Sequence, residues 1–126
     1  MNFLYHKFSS EKEFLDEISK KISNEIRTAI QKKGRANLLV SGGKSPSKVF
    51  SKLSKLNLDW EKVNIFLCDE RISDSDKDRR NATLVNNYLR VLKAKKANFL
   101  DFNKYSSSYK TLHDELNEVI FDSSIL

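Results

Sequence analysis

Apolar residues recur every four positions at Phe14, Ile18, Ile22, Ile26 and Ile30, after which the chain reaches Gly34. That spacing lays one apolar stripe along a helix. Ser10, followed three residues later by Glu13, forms a capping box at its start, and Gly34 supplies a left-handed stop. The period then changes. Leu38, Leu39 and Val40 form a short apolar run that predicts a strand over 37–40, and Val49, Phe50, Leu53 and Leu56 mark the buried side of a second helix. Val63, Ile65, Phe66 and Leu67 are nearly continuous, the pattern of a strand covered on both faces. After a polar, aperiodic stretch at 73–80, helical spacing resumes over 81–92 through Leu84, Val85, Tyr88, Leu89 and Leu92. A short strand over 98–102, a helix over 109–118 with Leu112 and Leu116 inward, and a last strand over 119–126 follow. Alternation in residues 3–8 predicts one more strand ahead of the first helix.

Strands that alternate with helices pair in parallel through right-handed crossovers, so the expected fold is α/β, an open, mostly parallel, Rossmann-like sheet with helices on both faces. The 126 residues are the size of one domain, 1–126. In such sheets ligands sit beyond the carboxyl ends of the strands. Two groups of polar residues fall at those ends. Ser41-Gly42-Gly43-Lys44-Ser45-Pro46 follows the first buried strand, with Ser45 read as an N-cap and Pro46 as the first helical residue. Adjacent glycines let the backbone approach a ligand, and the amides of a helix's first turn favour an anion. Asp69-Glu70-Arg71 follows the second buried strand, offering two carboxylates for acid–base work and a guanidinium for a phosphate or carboxylate. Their coincidence on one rim is the strongest indication of a site. The bland alternatives are a glycine turn needed for geometry alone and a solvated loop with a local ion pair.

Composition narrows the partner. The formal charge is +6, from 23 Lys plus Arg against 17 Asp plus Glu. The basic clusters Lys20-Lys21, Lys32-Lys33, Arg79-Arg80 and residues 93–96 are short, scattered and free of interleaved aromatics, so an anionic metabolite is expected and nucleic acid is not. No apolar run approaches the ~20 residues that span a bilayer, and residues 1–7 do not read as a signal peptide. The single cysteine, Cys68, excludes an internal disulfide and fits a reducing cytoplasm. No His, Cys and carboxylate cluster has metal-ligand spacing, so no metal is expected. Cys68 has no nearby His to activate it, and His6 and His113 read as structural or exposed.

The motifs together carry a resemblance. Leu-Leu-Val-Ser-Gly-Gly-Lys-Ser-Pro at 38–46, Asp-Trp-Glu-Lys-Val-Asn-Ile-Phe-Leu-Cys-Asp-Glu-Arg at 59–71 and Asn81 opening a helix resemble the 6-phosphogluconolactonases in order, spacing and identity. That resemblance implies a fold similar to glucosamine-6-phosphate deaminase and ribose-5-phosphate isomerase. It implies hydrolysis of 6-phosphogluconolactone to 6-phosphogluconate in the oxidative pentose phosphate pathway, without a cofactor. It also implies that Ser41, Gly42, Gly43, Lys44, Ser45, Arg71 and Asn81 bind the phosphorylated sugar lactone and that Asp69, Glu70 and Arg71 serve catalysis. Lys44 and Ser45 stand where the family has Ser-Thr, and Arg80 and Ala82 where it has Ser and Tyr around the Asn. The family's Gly-x-Gly-x-Asp-Gly-His loop, whose His is its general base, has no counterpart in the 126 residues. The chain thus resembles the N-terminal half of a lactonase. Expected alternatives are a non-catalytic module that binds phosphosugars through the same rim, and a domain that pairs with a second chain or copy over its uncovered sheet.

Overall fold

The computed structural model describes residues 4–71, 79–105 and 109–126. Helix α1 spans Glu11–Lys33, with Ser10 at its N-cap accepting from the Glu13 amide and Gly34 closing it in the left-handed region at φ 78°. Acidic Glu11 and Glu13 occupy its first turn and Lys32 and Lys33 its last, each matched to the helix dipole. Strand β1 covers Ala36–Val40 and helix α2 Lys44–Leu53. A single 3₁₀ turn at Trp60–Lys62 leads into β2, Val63–Leu67. Helix α3 begins at Asn81–Leu84 and continues as a π-helical turn at Val85–Leu89. A 3₁₀ segment at Leu92–Lys96, strand β3 at Asn98–Phe99, helix α4 at Tyr109–Asn117 and strand β4 at Ser123–Ile125 complete the order.

The sheet runs β3-β2-β1-β4 with every pairing parallel. Right-handed crossovers place α2 and α3 on one face, because both connections step the same way, and α4 on the other, because its connection returns across the sheet. The core lies under the first face. Ile22 and Ile26 of α1 and Val49, Phe50 and Leu53 of α2 close over Leu38, Val40, Ile65 and Leu67, all buried. Ion pairs from Glu11 to Lys48 at 2.7 Å and from Asp16 to Lys52 tie α1 to α2 along the solvent edge. The second face is thinly covered: of the described residues in α4, Leu112 alone is buried, and Phe66 meets Phe121 edge-on at 5.4 Å.

A row of asparagines fixes the register on that second face. Asn37, Asn64 and Asn98 stand opposite one another in three neighbouring strands. Asn64 donates to Asn37 at 3.0 Å, Asn98 to Asn64 at 3.2 Å, and Asn37 to the Ile120 carbonyl at 3.0 Å. Asp122 accepts from the Asn37 amide at 2.8 Å, so β4 enters the sheet at a defined level.

Four expectations change. Residues 4–8 form no strand: Leu4 and Tyr5 are 84% and 89% exposed and no neighbouring strand completes a ladder, while Phe8 folds edge-on against Phe14. Residue 3 lies outside the described residues. Helix α2 starts two residues earlier than its hydroxyl–proline pair suggests. Gly43, at φ 114°, is the N-cap, and Pro46 falls at the third helical position, where an amide still has no intrahelical partner to lose. The helix expected over 81–92 ends at Leu89, where the Arg90 amide closes the π turn on the Val85 carbonyl at 2.8 Å and Arg90 leaves helical geometry, and Leu92 takes a positive φ of 50°. The strands expected over 98–102 and 119–126 shrink to two and three residues. Of the loop expected over 73–80, only 79 and 80 lie among the described residues.

Candidate functional site

The carboxyl ends of β1 and β2 are level because the sheet's hydrogen bonding runs one residue past each strand. The Cys68 amide donates to the Val40 carbonyl at 3.0 Å, and the Ser41 amide to the Ile125 carbonyl at 2.8 Å. From that rim the glycine turn and the Asp69-Glu70-Arg71 segment rise side by side. Ser41, Gly42, Gly43, Asp69, Arg71, Arg79, Asn81 and Leu84 line one cleft of about 380 Å³ between them. That is the range of a small-molecule site.

Three features build it. The first is the turn: α2 carries no side-chain cap at Gly43, so its leading amides are available at the cleft's edge. The second is Asn81, which bridges the two strand ends. Its Nδ2 donates to the Asp69 carbonyl at 3.0 Å and to Asp69 Oδ1 at 3.1 Å. Its Oδ1 lies against Gly42 so closely that a Cβ there would stand 1.9 Å away, so any side chain at position 42 would displace the Asn81 carboxamide. The third is charge. Arg71 donates from Nη1 to the Arg79 carbonyl at 3.0 Å, which sets its guanidinium at the cleft, where Arg79 also lies. Among the described residues that line it, Arg71 and Arg79 stand against the carboxylate of Asp69, a balance suited to an anion.

The structure therefore brings together Ser41, Gly42, Gly43, Asp69, Arg71 and Asn81 from the sequence reading. Lys44 lines an adjoining groove of about 430 Å³ with Gly43, Ser47, Lys48, Leu84 and Tyr88. Ser45 is exposed and lines neither. Glu70 is half-buried and turned away from the cleft: Oε1 accepts from the amides of Arg71 and Asn81 at 2.8 and 2.7 Å, and Oε2 from Ala82 at 2.9 Å. Arg79 was not singled out as a site residue, although the Arg79-Arg80 pair directly before Asn81 is visible in the sequence. Cys68 is exposed, its Sγ donating to Asp69 Oδ1 at 3.3 Å. His6 and His113 are exposed and line no part of the cleft, and His113 pairs with Asp114 at 3.6 Å. Among the described residues no group of His, Cys, Asp and Glu could hold a metal ion, and no helix is long and apolar enough to cross a membrane.

A larger depression of about 650 Å³ runs along α1 past Lys20, Lys21, Lys32 and Lys33 to Asp122. It is a charged helix surface on which no strand ends converge, and a cleft's chemistry depends on that convergence.

Residues 9–124 match the family described as glucosamine-6-phosphate isomerases/6-phosphogluconolactonase. A 6-phosphogluconolactonase of Neisseria meningitidis is 33% identical over 113 residues, 90% of this chain and 49% of the relative. One of Helicobacter pylori is 32% identical over 120 residues, 94% of this chain and 53% of the relative. A crystal structure of a 6-phosphogluconolactonase from Shewanella baltica superimposes with a TM-score of 0.80 at 30% identity, covering 93% of this chain and 53% of that one. The chain spans about half the length of these relatives. With a family match that spans residues 9–124, the chain belongs to the glucosamine-6-phosphate isomerase/6-phosphogluconolactonase family.

Proposed function

We propose that the cleft holds a phosphorylated sugar lactone and that the chain contributes the substrate-binding rim of a 6-phosphogluconolactonase, which hydrolyses 6-phosphogluconolactone to 6-phosphogluconate. The observation that carries this reading is the convergence of Gly42, Gly43, Arg71 and Asn81 on one cleft, in a chain whose 30–35% identical relatives are named for that reaction. Anionic oxygens of the ligand meet the amides of the glycine turn and the Arg71 guanidinium, and the Asn81 carboxamide orients the sugar.

Hydrolysis requires a base to activate water and donors to hold the oxyanion. The turn supplies donors. Among the described residues Asp69 is the one carboxylate lining the cleft, and its Oδ1 is shared by Asn81 and Cys68. In this reading the base comes from the Gly-x-Gly-x-Asp-Gly-His loop that the family resemblance implies. A binding module without chemistry is the competing reading, favoured by the absence of His from the cleft lining among the described residues. Titration with 6-phosphogluconate tests what both share: the amides among residues 42–47 should shift at millimolar ligand, and unmoved amides contradict the site.

A further inference from the structure

We infer that Glu70 is a positioning residue that acts through Asn81, and that it takes no part in proton transfer at the cleft. Helix α3 begins with Arg80 at the N-cap and receives no side-chain cap from it. Glu70 supplies the cap from across the rim. One carboxylate oxygen takes the amides of Arg71 and Asn81 and the other takes Ala82, at 2.7 to 2.9 Å. Both oxygens are spent on backbone donors, and neither lines the cleft. These bonds join the end of β2 to the start of α3 and fix where the Asn81 backbone stands. Asp69 then fixes the Asn81 side chain through two bonds from Nδ2, at 3.0 and 3.1 Å. With backbone and side chain both held, Oδ1 occupies the space where a Cβ of residue 42 would stand, 1.9 Å from it. Of the two neighbouring carboxylates, Asp69 thus faces the cleft and Glu70 sets the geometry of the residue that bridges it.

A glutamine cannot replace Glu70. Its carboxamide has one acceptor oxygen, so its NH₂ opposes either the Arg71 and Asn81 amides or that of Ala82. An aspartate is one methylene short of bridging both sides. The inference rests on the cleft being a phosphosugar site only where affinity is the readout.

The test has two arms. In the first, without ligand, Glu70→Gln should shift the Asn81 side-chain NH₂ resonances and the Gly42 amide while the far-ultraviolet circular dichroism stays unchanged. In the wild-type chain the Asn81 and Ala82 amides should exchange with solvent slowly, a measurement that stands even if the variant fails to fold. In the second arm, 6-phosphogluconate affinity should fall on the order of tenfold in Glu70→Gln and in Asn81→Ala, the usual cost of a lost charge-assisted contact. The double variant should be no weaker than Asn81→Ala alone, because the effect of Glu70 passes through Asn81. Unmoved Asn81 resonances, rapid exchange of both amides, or a double variant that loses the full product of the two single effects would each overturn the inference. If the wild-type chain binds no 6-phosphogluconate, the phosphosugar reading fails and the first arm still decides the role of Glu70.

Discussion

At the scale of residues, function depends on a few side chains whose partners are far away in sequence. Arg71 is the clearest test. Its guanidinium has five N–H donors, one of them given to the Arg79 carbonyl, and it lines the cleft beside the glycine turn. Arg71→Ala should weaken 6-phosphogluconate binding by on the order of 1.5 to 3 kcal/mol, the worth of a hydrogen bond to a charged group, as read by calorimetry or by the amide titration. Unchanged affinity removes Arg71 from the site. Gly42, Gly43, Asp69 and Arg71 were legible as candidates because they sit at strand ends, and Asn81 only through the family resemblance. The division of labour between Asp69 and Glu70 was not legible. It turns on which carboxylate meets amides 11 and 12 positions further along, and no local pattern encodes that.

At the scale of elements, α1 was read with its caps because three independent signals agree on it: a four-residue apolar period, a capping box and a terminal glycine. The start of α2 was misplaced because Ser45-Pro46 satisfies the same rules two residues too late. Positive φ at Gly43 decides the matter, and that is a property of the folded turn. The asparagine row across β1, β2 and β3 was also hidden, since each Asn alone reads as a polar interruption of a strand. The contact between α1 and α2 gives a prediction in pH. A hydrogen bond from Lys12, and a second from Lys52, hold the Asp16 carboxyl at about 2, below its ordinary 3.8. The folded state therefore favours the ionised form. The resulting stabilisation is present above about pH 4 and fades as pH falls through the folded value near 2. Asp16 is solvent-exposed and screened, so the effect is small. Urea midpoints of wild type and Asp16→Asn should differ at pH 7, with the variant lower, and converge near pH 2. An equal gap at both values contradicts the pairing.

At the scale of the whole molecule, the sheet is finished on one face and open on the other. Strand β4 is an edge, and beside it Ile120, Phe121 and Leu126 are 76%, 36% and 80% exposed. An apolar surface next to an open strand edge promotes association. The purified chain is expected to form oligomers, to require a partner polypeptide, or to dissolve poorly. A sharp monomer in light scattering that unfolds cooperatively contradicts this. The parallel architecture itself was legible, because alternating strands and helices of this length admit few topologies. How sparsely α4 covers its face was not, since Leu112 and Leu116 promised a helix more deeply seated than the one observed.

In the function proposed, this chain supplies the rim that holds a phosphosugar lactone while the base comes from elsewhere. The direct measurement is the rate of 6-phosphogluconolactone hydrolysis by the chain alone and by the chain mixed with a polypeptide carrying the remaining half of a relative, including its Gly-x-Gly-x-Asp-Gly-His loop. The chain alone should show only the background rate, since a missing general base typically costs ~10² to 10⁴ in rate. Mixing should bring turnover that Arg71→Ala diminishes. Full activity of the chain alone, abolished by Glu70→Gln or Asp69→Asn, would place the base among these residues and contradict the proposal.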